Sequence, residues 1–224
     1  MSKPTTKSLV EANIEALRAM NHSELFAWSR ANGLDSRAGF SAFKKALLAS
    51  GIDYDALRSE KRAEQAADRE AKATASLIFF CDAKARTDRF AICNAKGEPV
   101  WHGRFFSDDR DYNGEQSSGE MAAAKKAVWL ASKIKETIGA EAIRLTLKID
   151  AEWLTWANQV GKPNDDGKRG GKARALGELA RKFGVVLTVE HIPGIENPAD
   201  QYTVATGFKK WQDNDLRALA VTNG

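Results

Sequence analysis

Four carboxylates stand where apolar or patterned segments of this 224-residue chain stop. Asp82 follows the dense run LIFFC, Glu120 sits in SSGEM, Asp150 follows LTLKI, and Asp200 follows ENPA. Each lies at an expected strand end or helix start, where a rigid element can aim a side chain into a shared cleft. Three or four carboxylates held together cannot all stay ionised without counter-charge. Hard divalent cations supply it. Mg²⁺ fits best, because it is held by a few carboxylates and waters and leaves positions for phosphate oxygens. Two such ions about 3.5–4 Å apart activate a water and stabilise the leaving oxygen of a phosphodiester.

Each carboxylate also has a purely structural explanation. SSGE is an S-x-x-E pattern, so Ser117 and Glu120 can form a capping box. Asp150 can cap the helix expected in AEWLTWA, and Asp200 can sit at the positive end of its own helix. Asp82 resists such an explanation most, since a charge ending an apolar run is costly if buried without compensation. What favours a common site is the joint order Asp–Glu–Asp–Asp along the elements.

Those elements follow from periodicity. SLIFFCDA, RFAICNA and EPVWHGRFF read as three successive strands, suiting an antiparallel meander, with AKGE as a turn. SSGEMAAAKKAVWLASKIKETIG reads as a long helix with Met121, Val128, Ala131, Ile134 and Ile138 marking its buried stripe. AIRLTLKID is a fourth strand, AEWLTWANQV a short helix, GKPNDDGKRGGKA a loop, RALGELARKFG a helix and VVLTVEH a fifth strand, followed by a C-terminal helix. The later strand–helix–strand alternation suits parallel crossovers. The expected fold is α/β, a five-stranded mixed sheet flanked by helices.

Before residue 75 the spacing is helical throughout. Leu9, Ile14 and Leu17 mark one segment, and Leu25, Phe26 and Trp28 a second with Ser23 as its expected N-cap and Gly33 as its stop. SRAGFSAFKKALLASG is a third, with Phe40, Phe43, Leu47 and Leu48 available for packing. The charged stretch after Ile52 reads as a solvated helix or helical linker. The expected organisation is a small all-α module over 1–54, a charged helical linker over 55–75, a catalytic domain over 76–206, and a C-terminal tail or helix over 207–224.

The net charge of +4 and pI near 9.0 fit nucleic-acid contact. No apolar run reaches the ~20 residues that span a bilayer, which argues against a membrane role. The N-terminus lacks the pattern of a secretory signal, and Cys81 and Cys93 lack metal-site or C-x-x-C spacing. They read as reduced core residues, and the expectation is a cytoplasmic protein.

Taken together, CDAKA at a strand end, SSGEMAAAKKAVWLA, LTLKIDAEWLTWA and above all VEHIPGIENPADQY make residues 76–206 resemble ribonuclease H, especially the forms associated with retroelements and reverse transcriptases. The resemblance implies a ribonuclease H-like fold with Asp82, Glu120, Asp150 and Asp200 binding two Mg²⁺ ions, for which Mn²⁺ can substitute. It implies an RNA–DNA hybrid as partner and substrate, with the RNA strand cut to leave 5′-phosphate and 3′-hydroxyl ends. His191 matches the family's loop histidine, which helps move the nucleophilic water or release product; its alternative is a partly exposed histidine at a strand end. Asn197 matches a position that touches nucleic acid, where an amide can read a sugar hydroxyl; its alternative is a turn residue before Pro198.

Departures from the family accompany these matches. AKARTDRF after the first aspartate lacks the glycines many members carry, and QYTVATG replaces their leucine-serine-arginine ending. GKPNDDGKRGGKAR occupies the place of a basic substrate-binding projection, so Lys168, Arg169, Lys172 and Arg174 can grip phosphates, with Trp153 and Trp156 nearby. A solvated loop and core tryptophans are the alternative. In the N-terminal module, Arg37, Lys44 and Lys45 can hold nucleic acid, or residues 1–75 can hold a protein partner.

Two other functions compete. One is a non-catalytic nucleic-acid-binding or scaffold protein reusing the fold. The other is a DNA-directed nuclease of the same superfamily. Its proofreading type carries an acid two residues after the first aspartate, where this chain has Lys84.

Overall fold

The apolar run beginning at Ala73 forms β1 (Ala73–Lys84), the central strand of a five-stranded sheet in this computed structural model. The structure describes residues 4–106, 109–159 and 167–221. Strands β2 (Arg89–Cys93) and β3 (Pro99–Arg104) continue antiparallel from β1, as the short turns between them require. Helix α6 (Gln116–Ile138) then carries the chain across to β4 (Ala142–Ile149), which pairs parallel with β1 on its other side. Helix α7 (Gly167–Lys182) leads to β5 (Val185–His191), parallel to β4. The order is β3-β2-β1-β4-β5, the mixed sheet expected from the strand pattern.

One sheet face is dry. Phe79, Cys81, Ala83, Phe90 and Ile92 pack there with Val128, Ala131 and Ile134 of α6. Leu216 and Leu219 of a C-terminal helix at Asp213–Val221 join the same core, so the tail belongs to this body. On the other face Phe80, Ala91 and Cys93 meet Ala199 and Tyr202, which flank and form the short helix Asp200–Val204. Both cysteines are buried and free. No helix among the described residues is long and apolar enough to cross a membrane.

Several expectations are corrected in detail. Helix α7 starts at Gly167, seven residues earlier than Arg174, because the segment's glycines and lysines are tolerated in a helical turn despite reading as loop. The segment after Asp150 is a 3-10 helix, Glu152–Gln159. Ile138, at the last turn of α6, is 36% exposed rather than part of its buried stripe.

The chain divides into two compact units, Met1–Ala66 and Ala67–Gly224. The first contains α1 (Thr6–Ala12), α2 (Ile14–Arg18), α3 (His22–Ala31), α4 (Arg37–Ala49) and the start of α5 (Tyr54–Lys72). Its core is Val10, Leu17, Leu25, Phe43, Leu47 and Tyr54. The cap of α3 is Asn21, whose side chain accepts from Ser23 N and Glu24 N while Glu24 bonds back to Asn21 N. That reciprocal box displaces Ser23 from the expected role. Leu48 is largely exposed, against the expectation that it packs, while the half-exposed Phe26 meets Phe40 edge-on. At the other end of α5, Arg144 of β4 donates to the carbonyls of Glu70 and Ala73 and pairs with the Glu70 carboxylate.

Candidate active site

Parallel pairing brings the ends of β1, β4 and β5 side by side. The register sets Phe80 opposite Lys148, the last β1–β4 pair; two residues further on, Asp82 is still paired with Ala91 of β2, while Asp150 lies just past the end of β4. On the other side of β4, Ile149 is opposite His191, and Ile192 N donates to Ile149 O at 3.0 Å. Ligand sites in open α/β sheets form at such carboxyl ends.

The loop after His191 folds back over this edge. A Cβ placed on Gly194 would lie 3.3 Å from Asp150 Oδ2, so the glycine lets the backbone approach the carboxylate closely. Asn197 then ties the loop to β1: its Nδ2 donates to Cys81 O at 2.9 Å, and its Oδ1 accepts from Ala199 N. Asn197 is only 4% exposed. Each end of its amide makes a hydrogen bond inside the protein, the geometry of the turn alternative. The helix that follows, here α8 (Asp200–Val204), begins with Asp200 and carries Thr203, whose hydroxyl lies 3.3 Å from Asp82 Oδ2.

Glu120 arrives from the first turns of α6. The N-cap of that helix is Glu115, with no side-chain cap bond, so the Ser117–Glu120 capping box does not form. Instead Glu120 accepts from Trp153 Nε1 at 2.9 Å and from Gln116 Nε2 at 3.2 Å, and Gln116 also donates to Ala83 O. Gly119 makes the approach possible, since a Cβ there would sit 3.2 Å from the Ala83 methyl. Asp150 does not act as a satisfied cap, because its buried Oδ1 has no hydrogen-bond partner.

The electrostatics report the crowding. Asp82 is 2% exposed, and its carboxyl is pushed up to about 7, first by burial and then by the charge of Asp150, with Asp200 adding to the shift. Hydrogen bonding from the backbone of Ala83 and the charge of Lys84 act the other way. Cys81 behind it is raised by burial and then by Asp82, Asp150 and Glu120 together. The four carboxylates therefore share one field, although among the described residues no three His, Cys, Asp or Glu side chains converge at the spacing of a bound ion. The donor chemistry fits a hard divalent cation: oxygen donors throughout, an unpartnered buried Asp150 oxygen, and an Asp82 that needs counter-charge.

His191 is exposed at the end of β5. Lys172 is exposed on α7, while the side chains of Lys168 and Arg169 lie outside the described residues. Trp156 packs against the core. Sequence reasoning missed Gln116, Gly119, Thr203 and the bond from Trp153 to Glu120. A glycine directly before an acid in SSGE was the one available signal among these.

No protein-family profile matches the chain, and no curated protein matches it in sequence. Among solved structures, RNase H1 from the halophilic archaeon Halobacterium salinarum NRC-1 is similar at 15% identity and TM-score 0.34, over 57% of this chain and 93% of that one. The N-terminal RNase H domain of rv2228c from Mycobacterium tuberculosis, solved as a fusion with maltose-binding protein, is similar at 15% identity and TM-score 0.33, over 66% and 98%. The antiparallel β1–β2–β3 meander, the parallel β4 and β5, and the helices flanking them give this chain an α/β fold built on a five-stranded mixed sheet.

Proposed function

We propose that the protein is a divalent-metal-dependent endoribonuclease that hydrolyses the RNA strand of RNA–DNA hybrids. The observation that carries this is the placement of Asp82 and Asp150 on neighbouring parallel strands, with burial first and the charge of Asp150 second raising the Asp82 carboxyl to about 7. A buried acidic pair without a cation is an expense that a purely structural sheet end has no reason to keep. Mg²⁺, held by Asp82, Glu120, Asp150 and Asp200, would supply an activated water and charge stabilisation at the leaving oxygen.

The chain's own residues do the positioning. Trp153 and Gln116 fix the Glu120 carboxylate through two donors. Thr203 orients Asp82, and Asn197 holds the loop that carries Gly194 against Asp150. His191, exposed at the strand end, would pass a proton to solvent or assist product departure. Lys172 on α7, with Lys168 and Arg169 as further candidates, would meet substrate phosphates without reading sequence.

Labelled RNA–DNA, RNA–RNA and DNA–DNA duplexes incubated with the protein in Mg²⁺ test this reading. Cleavage of the RNA strand of the hybrid, with 5′-phosphate ends, is expected. Preferential cutting of DNA would move the protein to the DNA-directed nucleases. One contact favours a second reading, a binding protein without hydrolysis: Lys84 Nζ lies 2.5 Å from Asp200 Oδ1 and already supplies a positive charge there. Tight hybrid binding with no cleavage in either Mg²⁺ or Mn²⁺ would support it.

A further inference from the structure

Lys84 is the last residue of β1, two positions beyond Asp82, and its side chain is 24% exposed. Its ammonium donates to Asp200 Oδ1 at 2.5 Å, linking the end of the central strand to the start of α8. The neighbouring carboxylates are met by neutral donors: the Trp153 indole and Gln116 amide on Glu120, and the Thr203 hydroxyl on Asp82. Lys84 therefore brings a full positive charge onto the acidic cluster by direct contact. Asp200 stays 46% exposed despite this pairing, so a solvated ion can reach it from outside.

We propose that Lys84 is an intramolecular counter-ion that competes with a divalent cation for Asp200, so that the chain binds one ion readily and a second only when Lys84 leaves. The proposal rests on the reading of the cluster as a nuclease metal centre. A lysine can fill this role because its ammonium is a compact charge on a flexible stem, able to swing away without refolding β1. An ammonium and a divalent ion cannot share one carboxylate edge at contact distance without strong mutual repulsion. The same lysine partly offsets the repulsion felt by Asp82, which keeps the cluster tolerable while it awaits the second ion. Lys84 is thus a positioning residue for Asp200.

Mn²⁺ binding to the full chain, followed by electron paramagnetic resonance of free Mn²⁺ and by calorimetry, tests the competition directly. Wild-type protein is expected to bind one ion well and a second weakly. Lys84→Met is expected to bind the second ion about tenfold more tightly or better, a factor that corresponds to about 1.4 kcal/mol. Lys84→Arg, which keeps the charge, is expected to behave as wild type. In Asp200→Asn protein the affinity of the first ion is expected to stay at the wild-type level, a readout that holds even where Lys84→Met folds poorly. Identical stoichiometry and affinities in wild type and a folded Lys84→Met would overturn the proposal, as would a weakened first ion in Asp200→Asn. Absence of Mn²⁺ binding in every protein, wild type included, would instead remove the metal-centre reading on which the proposal stands.

Discussion

At the scale of single residues, Asp82 carries the largest consequence. Its ordinary value is 3.8, and in the folded protein it is raised to about 7. Between those values the folded protein holds a proton that the unfolded chain has released. Stability of the chelated protein is therefore expected to fall as pH rises from about 4 to 7 and to level off above. Asp82→Asn removes this cost, and the chelated variant is expected to gain roughly 2–4 kcal/mol at pH 8, with little gain at pH 4. Thermal melts in EDTA across that range check it, and a variant less stable than wild type at pH 8 would contradict the burial argument. Asn197→Ala should act oppositely. It leaves Cys81 O and Ala199 N without their partner and is expected to cost roughly 1–3 kcal/mol of stability. The sequence made Asp82 conspicuous because a charge closed an apolar run. It could not separate the two roles of Asn197, since a turn residue and a nucleic-acid contact require the same amide.

At the scale of elements, the site depends on how closely helix and loop approach the strand ends. Gly119 lets α6 lie against Ala83, and any branched side chain there has to push the helix start, and Glu120 with it, away from β1. Gly119→Val is expected to lower both thermal stability and hybrid cleavage, while a substitution at exposed Lys182 leaves both unchanged; parallel melts and cleavage rates decide. The junction of α5 with β1 is held by Arg144, which donates to the carbonyl of Glu70 in the last turn of α5 and to that of Ala73 at the start of β1. Arg144→Ala is expected to speed hydrogen exchange at residues 70–73 selectively. Strand bodies were legible because their apolar patterning is dense: VVLTVEH coincides with β5 and AIRLTLKI with β4. The start of β1 was hidden, because Ala73–Ala75 has the composition of the charged helix before it. The start of α7 was hidden in turn by glycines that mimic a loop.

At the scale of the whole molecule, the chain pairs a helical unit, Met1–Ala66, with the sheet-bearing unit, Ala67–Gly224. The last turn of α5 is bonded to β4, so a cut after Ala66 preserves that anchor where a cut at residue 75 removes it. We expect deletion of residues 1–66 to raise the Michaelis constant for hybrid more than it lowers kcat, with a shallower salt dependence. An unchanged Michaelis constant at every salt concentration would assign the helical unit to a protein partner. The change from helical to strand spacing near residue 75 was legible in the sequence, whereas the division between the units falls at Ala66 and Ala67, inside α5. The parallel register that sets Asp82 beside Asp150 was legible only through the resemblance, since no local spacing encodes it.

The central claim, that the acidic cluster is a catalytic metal centre, is tested most directly by Mg²⁺-dependent cleavage of labelled RNA–DNA hybrid by wild-type and Asp150→Asn proteins. Asp150 Oδ1 is buried with no hydrogen-bond partner, so Asp150→Asn is expected to remove the charge without breaking a bond at that atom. The expected result is metal-dependent scission of the RNA strand by wild type and loss of it in Asp150→Asn at unchanged hybrid binding. Equal cleavage by the two proteins would contradict the account.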